Sequence, residues 1–398
     1  MNSTLCLIHP MDPRGQKVGG IETHVRLMLS HAPKDVHVLM VGADGFGDCR
    51  LGEIVRVPLG TREIDFLPVL SYPEEQVHEA ARSILTSITF RFALGLIRHF
   101  FKIRHELKAH CPASIELQRF EFAGIARALG YPVVQIIHGE GTKDDKMDSL
   151  IKKFWAIHRA SEQMAVRLAA SIACVNPNIL ARWQREMPSV AERAFFMPVS
   201  VDTDTFSTTP FDTSDGVMRI AFAGRLDEFK DPPLMFQTLR RLHDRLQGKL
   251  EFHYIGTTDP HRYPEFAGAE AFTIRHGFKK SAEVADIMKR CHAGILTSYF
   301  EGMPCYLLEL TAIGRPFVCV RLPQYELVIE DGKTGFLLPR VDDTKALASD
   351  LADRFVQLWE MICSSAVRPQ DVHRKALPYS VKNQLSAHFA RHHGLARC

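Results

Sequence analysis

The chain has 398 residues and a formal net charge of +3, with 46% hydrophobic and 24% charged residues. This composition is typical of a globular protein and excludes a disordered one, and the length permits two domains. A net charge this small gives no reason to expect a nucleic-acid partner.

The cysteines and the N-terminus predict the compartment. Nine cysteines occur without a Cys-x-x-Cys pair, and no cluster of His and Cys has the spacing of zinc ligands, so we expect reduced thiols. Residues 1–4 lack the features of a signal peptide, and no apolar run is long enough to span a membrane. These observations predict a cytoplasmic protein.

Short apolar runs alternate with helical patterns, which predicts an α/β fold with parallel sheets. The predicted strands of the first half are 4–8, 36–41, 114–117, 133–137 and 170–175, with helices over 22–30 and 122–129. Those of the second half are 218–224, 250–255, 272–276, 293–296 and 316–320, with a helix over 233–246. The segment 197–211, rich in Pro and Thr, predicts a crossover between two doubly wound halves. Ligands of such sheets bind beyond the carboxyl ends of the strands, so we expect the site in the cleft between the two domains.

The segment 298–309 is the most informative part of the chain. A buried strand leads into a glycine turn, and Pro304 is suited to be the first residue of the helix that follows. The N–H groups at the start of this helix would form a site for an anion. Glu301 precedes that helix and Glu309 lies two turns into it. Two carboxylates beside an anion site favour a phosphorylated, hydroxyl-rich ligand such as a sugar nucleotide.

The segment 224–231 brings an arginine and a lysine to the carboxyl end of another strand. Arg225 and Lys230 could both reach one diphosphate, the first as a planar fork and the second as a point charge. Alone, the segment could equally be a solvated charged turn. Beside the two glutamates, a diphosphate site becomes the better interpretation.

Two motifs of the first half follow predicted strands. Gly19 and Gly20 precede Glu22, and could bring backbone close to a ligand or simply open a helix. His138 stands just past a strand, where it could bind a sugar hydroxyl or a phosphate, or could be a buried histidine. The sequence alone leaves both alternatives open.

Three further segments allow two interpretations each. The segment 324–338 could line a sugar pocket or be a structural connection, and the lysines between 143 and 153 could meet an anionic acceptor or be a solvated face. The apolar and basic stretch 87–110 could lie on anionic lipid at the inner face of the plasma membrane, or be a long helix that packs on its own sheet. The basic residues of that stretch are Arg91, Arg98, Lys102, Arg104 and Lys108.

Taken together, these motifs resemble the large family four of retaining glycosyltransferases, which have the two-domain GT-B fold. The motifs, in family order, are Gly19–Glu22, His138–Gly139, Gly224–Lys230, Gly277, Glu301–Glu309, Gly314–Pro316, Glu326–Gly335 and Tyr379–Ser380. The resemblance implies two Rossmann-like domains, 1–200 on the acceptor side and 201–378 for the nucleotide sugar. It also implies that the last segment, 379–398, is a helix that returns to the first domain.

The resemblance further implies transfer of a hexose-type sugar from a nucleoside diphosphate, with retention at the anomeric carbon. Arg225 and Lys230 would stabilise the leaving diphosphate, Glu301 and His138 would contact the sugar, and Glu309 would bind the ribose. The implied donor-binding set is completed by Gly20, Gly224, Gly277, Phe278, Gly302, Met303, Pro304 and Cys305. Because two cations and a helix N-terminus would hold the diphosphate, we expect no metal and no cofactor in the reaction.

The expected acceptor is a glycan or a lipid-linked oligosaccharide, in synthesis of an envelope polysaccharide, lipopolysaccharide or exopolysaccharide. Two alternatives remain at this point. A sugar-nucleotide epimerase of similar fold would turn over the donor without an acceptor, and a non-catalytic scaffold would bind the donor without turnover.

Overall fold

The structure is a computed structural model that describes residues 3–15, 19–60, 62–73, 85–139 and 154–395. It divides into two compact units, one of Met1–Val199 with Val381–Cys398 and the other of Ser200–Ser380. Each unit has its own sheet, as the alternation of apolar runs predicted.

The sheet of the first unit has eight strands in the order β3-β4-β2-β1-β5-β6-β7-β8. They are β1 (Ser3–Ile8), β2 (Val36–Asp44), β3 (Val55–Leu59), β4 (Arg62–Ser71), β5 (Ser114–Leu117), β6 (Val133–Ile137), β7 (Ser171–Cys174) and β8 (Ala194–Phe196). All neighbours are parallel except β3 and β4. Every position of β5 and β6 is buried, and both strands were predicted correctly although they contain the buried polar residues Ser114, Glu116 and Gln135.

The antiparallel hairpin of β3 and β4 is absent from the sequence prediction. Both strands contain a proline, Pro58 in β3 and Pro68 in β4, which cannot donate to a sheet ladder. The structure accommodates Pro68 at a β-bulge, where Gly42 pairs with Pro68 but Ala43 pairs with Leu70. The hairpin adds an antiparallel edge to a sheet that was expected to be parallel throughout.

The helices of the first unit are α1 (Gly20–His31), α2 (Ile88–Arg98), α3 (Phe100–His110), α4 (Ala123–Ala128), α5 (Trp155–Leu168) and α6 (Pro177–Glu186). The stretch 87–110 is therefore two helices rather than one. Phe92 and Leu96 of α2, with Ile103 and Leu107 of α3, are buried in the core of this unit. Leu94, Ile97 and Phe101 remain 51%, 59% and 81% exposed on the opposite face.

The second unit has a six-stranded, fully parallel sheet in the order β11-β10-β9-β12-β13-β14. Its strands are β9 (Met218–Ala223), β10 (Leu250–Ile255), β11 (Thr273–Arg275), β12 (Ala293–Leu296), β13 (Phe317–Val320) and β14 (Gly335–Leu338). Its helices are α7 (Pro232–Arg245), α8 (Ser281–Lys289), α9 (Cys305–Ile313), α10 (Thr344–Cys363) and α11 (Pro369–Ala376). This strand order is that of a Rossmann fold.

The chain enters and leaves the second unit at adjacent points. Val201 pairs with Ser380, and the Val201 N–H donates to the Tyr379 carbonyl at 2.8 Å. The last helix, α12 (Val381–His393), then belongs to the first unit. Val381, Leu385 and Phe389 of α12 are buried in a core cluster of that unit. In the parts of the chain described above, no helix combines the length and apolarity that a membrane crossing needs.

Candidate active site

Each sheet contains one pair of neighbouring strands from which the chain continues toward opposite edges of the sheet. In the second unit β9 leads to β10 on one side, and β12 leads to β13 on the other. In the first unit the same reversal separates β1 from β5. Because crevices at the carboxyl ends of such strand pairs bind ligands, the loops 224–231 and 297–304 are the expected site of the second unit.

An ion pair joins the two loops of the second unit. The Lys230 Nζ lies 2.6 Å from the Glu301 Oε1, and the two side chains are only 16% and 10% exposed. The Ser298 hydroxyl donates to the same carboxylate oxygen at 2.9 Å, and the Gln324 amide donates to the Glu301 carbonyl at 2.8 Å. The structure therefore brings together the lysine and the first glutamate that the sequence singled out.

Hydrogen bonds to backbone carbonyls and a ring contact also join the same two loops. The Thr297 hydroxyl donates to the Lys230 carbonyl at 2.7 Å, and the Tyr299 N–H donates to the Phe229 carbonyl at 2.8 Å. The rings of Phe229 and Phe300 stack with their centroids 5.1 Å apart. The charged pair is thus held by ordered backbone, which is what a preorganised site requires.

The helix that follows the loop 297–304, α9, begins one residue later than predicted. Pro304 has an extended ψ of 124° and is the N-cap, so α9 begins at Cys305. Its N-terminal end directly follows the loop of Gly302 and the buried Met303. The positive end of the helix dipole therefore lies at the carboxyl edge of the sheet, beside the ion pair.

Glu309 lies inside α9 at the second turn. Burial raises the pKa of its carboxyl to about 7. A carboxyl with this pKa changes its charge near neutral pH, so Glu309 can act as a hydrogen-bond donor or acceptor there.

Arg225 is not part of the ion-paired group. Its side chain is 71% exposed, and it lies 3.0 Å from Asp227. Arg225 and Lys230 therefore contact different carboxylates, although both follow β9.

Three other predicted residues of the second unit, Gly224, Gly277 and Phe278, lie just after strands. Gly224 and Gly277 have φ values of +141° and +68°, which disfavour any residue with a Cβ atom. Phe278 is 37% exposed. Gly224 follows β9 and Gly277 follows β11, so both lie at the carboxyl edge of the sheet.

Two residues at this edge escaped the sequence analysis. A Cβ atom on Gly256 would lie 2.3 Å from the Gly224 carbonyl oxygen, so a glycine is needed where the loop after β10 meets the loop after β9. Arg340 lies 2.8 Å from Asp231 and 3.8 Å from the centre of the Tyr299 ring. A glycine directly after a predicted strand was a signal for the first residue, whereas nothing in the sequence linked position 340 to this site.

The predicted site residues of the first unit follow strands near its own strand reversal, Gly20 after β1 and His138 after β6, which pairs with β5. The partly exposed His138 donates its Nε2–H to the side-chain amide oxygen of Gln118 at 2.7 Å, and the Gln118 amide donates to the Glu116 carboxylate at 2.5 Å. Burial lowers the pKa of His138 to about 3, so its imidazole is neutral. His24 packs edge-on against His138, and Gly20 opens the helix that carries His24. The lysines between 143 and 153 fall outside the described residues.

A chain with two Rossmann-like units, and with a cationic site at the strand reversal of the second, is a protein of the GT-B fold class. Residues 218–356 match the family described as Glycosyl transferases group 1. The matched residues lie within the second unit, and the match confirms the resemblance predicted from the motifs.

Individual relatives agree with this classification. The chain is 24% identical over 206 residues to a D-inositol 3-phosphate glycosyltransferase of Arthrobacter sp. (strain FB24). That match covers 49% of this chain and 48% of the relative, so it spans about half the length of each protein.

Solved structures resemble the chain over its whole length. Sucrose-phosphate synthase from Thermosynechococcus elongatus superposes with a TM-score of 0.77 at 13% identity, covering 99% of both chains. Anabaena HepE in complex with UDP and glucose superposes with a TM-score of 0.65 at 14% identity, covering 98% of this chain and 99% of that one. These likenesses confirm the predicted GT-B fold.

Proposed function

We propose that the protein is a retaining glycosyltransferase that moves a hexose-type sugar from a nucleoside diphosphate to a glycan or lipid-linked acceptor. The observation that carries this proposal is the ion pair of Lys230 and Glu301 at the strand reversal, beside the N-terminus of α9. A cation and a helix N-terminus suit a diphosphate, and the adjacent carboxylate suits sugar hydroxyls. Support comes from HepE, whose structure holds UDP and glucose.

The proposed reaction depends on stabilising the leaving diphosphate. Lys230 would exchange Glu301 for a phosphate oxygen, and the released carboxylate would accept hydrogen bonds from the sugar. The exposed Arg225 would add a second positive charge. Because these groups neutralise the diphosphate, the proposed chemistry needs no divalent metal and no cofactor.

The proposed sugar contacts in the first unit are His138 and Gly20. A neutral His138 with its Nε2–H held by Gln118 presents a fixed tautomer, which suits hydrogen bonding to a hydroxyl. It is not suited to proton transfer near pH 7. We therefore assign it to positioning of the sugar.

We propose a cytoplasmic protein that acts on envelope polysaccharide, lipopolysaccharide or exopolysaccharide and touches anionic lipid through the exposed face of α2 and α3. The exposed apolar side chains Leu94, Ile97 and Phe101 stand among exposed basic residues. This combination is typical of helices that lie in the membrane interface.

A screen of nucleoside diphosphates and their sugars tests the function. Each is added to the protein, and the thermal transition is recorded, because a ligand that binds the folded state stabilises it. The donor found in this way is then incubated with oligosaccharide and lipid-linked acceptors. A product with the donor's anomeric configuration, seen by NMR, is the expected result.

Three results of the screen would contradict the proposal. Selective stabilisation without transfer to any acceptor would favour a scaffold. Conversion of the donor without an acceptor would favour an epimerase. An inverted product, or turnover that requires added Mg²⁺ or Mn²⁺, would remove the retaining or metal-independent part of the proposal.

A further inference from the structure

A second polar cluster lies inside the first unit, and Gln118 connects it to His138 of the proposed sugar site. The carboxylate of Glu116, on β5, meets the imidazoles of His388 and His392, on α12. The three residues are 0%, 3% and 3% exposed. Glu116 is 272 residues from His388 and 276 from His392 along the chain, so only the fold brings the carboxylate to the histidines.

Three potential ligand atoms converge at this point. The Glu116 Oε2 lies 2.6 Å from the His388 Nε2 and 2.9 Å from the His392 Nε2, and the two nitrogens are 3.2 Å apart. Atoms with these separations lie on a circle of about 1.7 Å radius, so a point about 2.05 Å from all three exists, which is the bond length of zinc to nitrogen and oxygen. The three atoms can therefore bind a single ion with little rearrangement.

The outer atoms of two of these side chains are also held. The His392 Nδ1 lies 2.6 Å from the Ser114 hydroxyl, and the Gln118 amide donates to the Glu116 Oε1 at 2.5 Å. Histidines that bind metals commonly donate their second N–H to an oxygen in this way, which leaves the other nitrogen free to coordinate. The neighbouring groups thus orient the ligand atoms toward their common centre.

The charges of the cluster call for a cation. Glu116 is fully buried, and both imidazoles lie within hydrogen-bonding distance of its carboxylate. A buried carboxylate needs a compensating positive charge, and a divalent cation bound by the same three side chains would supply it.

We propose that Glu116, His388 and His392 bind one divalent transition-metal ion of the Zn²⁺ type. Two imidazoles and a carboxylate are ligands that zinc accepts readily. The ion would tie the terminal helix α12 to the central strand β5 and would serve stability rather than sugar transfer. His388 and His392 are four residues apart and share one face of α12. This spacing of two histidines is a signal for a metal site that the sequence prediction did not include.

Direct metal analysis of the full-length protein tests the proposal. The protein is dialysed against a strong chelator and then metal-free buffer, titrated with Zn²⁺, and its metal content is measured by mass spectrometry. We expect one equivalent bound after desalting, and a rise of about 5 °C or more in the thermal transition. Co²⁺ in place of Zn²⁺ should give the intense visible absorption of a low-symmetry, nitrogen- and oxygen-bound site.

Variants locate the ion. His392→Ala and Glu116→Gln should lose the bound equivalent, whereas the exposed neighbour His393→Ala should keep it. His37→Ala is a second control, because His37, Asp65 and His110 form another group that could bind a metal. Should His392→Ala fail to fold, His392→Cys keeps a ligand at the position, and its Co²⁺ complex should gain a thiolate charge-transfer band.

The proposal has two contrary outcomes. Wild-type protein that binds no Zn²⁺ after desalting, and shows no Zn²⁺-dependent stabilisation, would make the cluster an ion pair without metal. Binding that survives His392→Ala and Glu116→Gln but disappears in His37→Ala would move the site to the other group.

Discussion

Lys230 is the residue on which the proposed chemistry depends most. It is a largely buried cation whose partner in the structure, Glu301, is itself a proposed ligand of the sugar. A lysine that exchanges a carboxylate for a phosphate oxygen keeps its charge paired throughout the reaction. The charge that develops on the leaving group would therefore be met by a cation already in position.

Replacing Lys230 by alanine should lower turnover by about a hundredfold or more, because the leaving diphosphate loses a preorganised cation. Steady-state kinetics with the donor found in the screen measures this effect. Lys249→Ala is the matched control, since Lys249 is exposed directly before β10, at the opposite edge of the same sheet. Turnover within a factor of two of wild type in Lys230→Ala would remove this role.

Glu309 should make donor binding depend on pH. Its pKa of about 7 means that half of the carboxyls are protonated at neutral pH, and only the ionised form accepts hydrogen bonds from both ribose hydroxyls. Affinity for the sugar nucleotide should therefore rise about tenfold between pH 6 and pH 8, with proton release on binding. Calorimetry in two buffers of different ionisation enthalpy measures that proton.

The Glu309→Gln variant separates this effect from other titrations. It should bind the donor with little pH dependence and release no proton. The carboxyl's raised pKa also means that its contribution to stability is full below its unfolded pKa and is lost as pH rises through 7. The variant should therefore gain stability relative to wild type above pH 7, and an equal pH dependence in both proteins would contradict the assignment.

At the scale of elements, the residues that follow the central strands were easier to predict from the sequence than the strands at the edges of the sheets. Lys230 and Glu301 were found because each lies in a loop that follows a mainly apolar strand, β9 or β12. The β3–β4 hairpin was missed because its prolines are tolerated only at a bulge and an edge, and both depend on neighbouring strands. Gly256 was missed because its need for a small side chain comes from Gly224, on a separate loop.

The exposed face of α2 and α3 should bind anionic membranes. Phe101→Ser removes the most exposed apolar side chain of this face, and should weaken partition to vesicles containing anionic lipid by about tenfold. Cosedimentation with vesicles measures the partition. Ile157→Ser is the control, because Ile157 is 63% exposed on α5, outside this face.

Two outcomes would contradict the membrane assignment. Equal binding of wild type to anionic and uncharged vesicles would exclude a role for the basic residues around Phe101. Equal loss in Phe101→Ser and Ile157→Ser would show that any exposed apolar side chain contributes, rather than this face.

At the scale of the whole molecule, the chain forms two compact units, and the proposed nucleotide and metal contacts lie in different ones. The ion pair and α9, which we propose to bind the nucleotide, lie in the second unit, and the proposed metal site lies in the first. A nucleoside diphosphate lacks the sugar that we propose the first unit to contact, so it should stabilise the second unit, whereas the metal should stabilise the first. The sequence pointed to the proposed nucleotide site because its residues lie in two short segments that follow strands, but not to the proposed metal site, because its residues come from β5 and the terminal helix.

Scanning calorimetry can separate these effects if the units unfold in distinguishable steps. A nucleoside diphosphate at a hundredfold excess over its dissociation constant should stabilise one step by about 2.7 kcal/mol, and Zn²⁺ should raise the other. Hydrogen exchange identifies the steps, with the nucleotide protecting 224–231 and 297–309 and the metal protecting α12. Lys230→Ala should abolish only the first shift and His392→Ala only the second. If the nucleotide instead protected α12 alone, the donor site would belong to the first unit, and the roles proposed for Lys230 and Glu301 would fail.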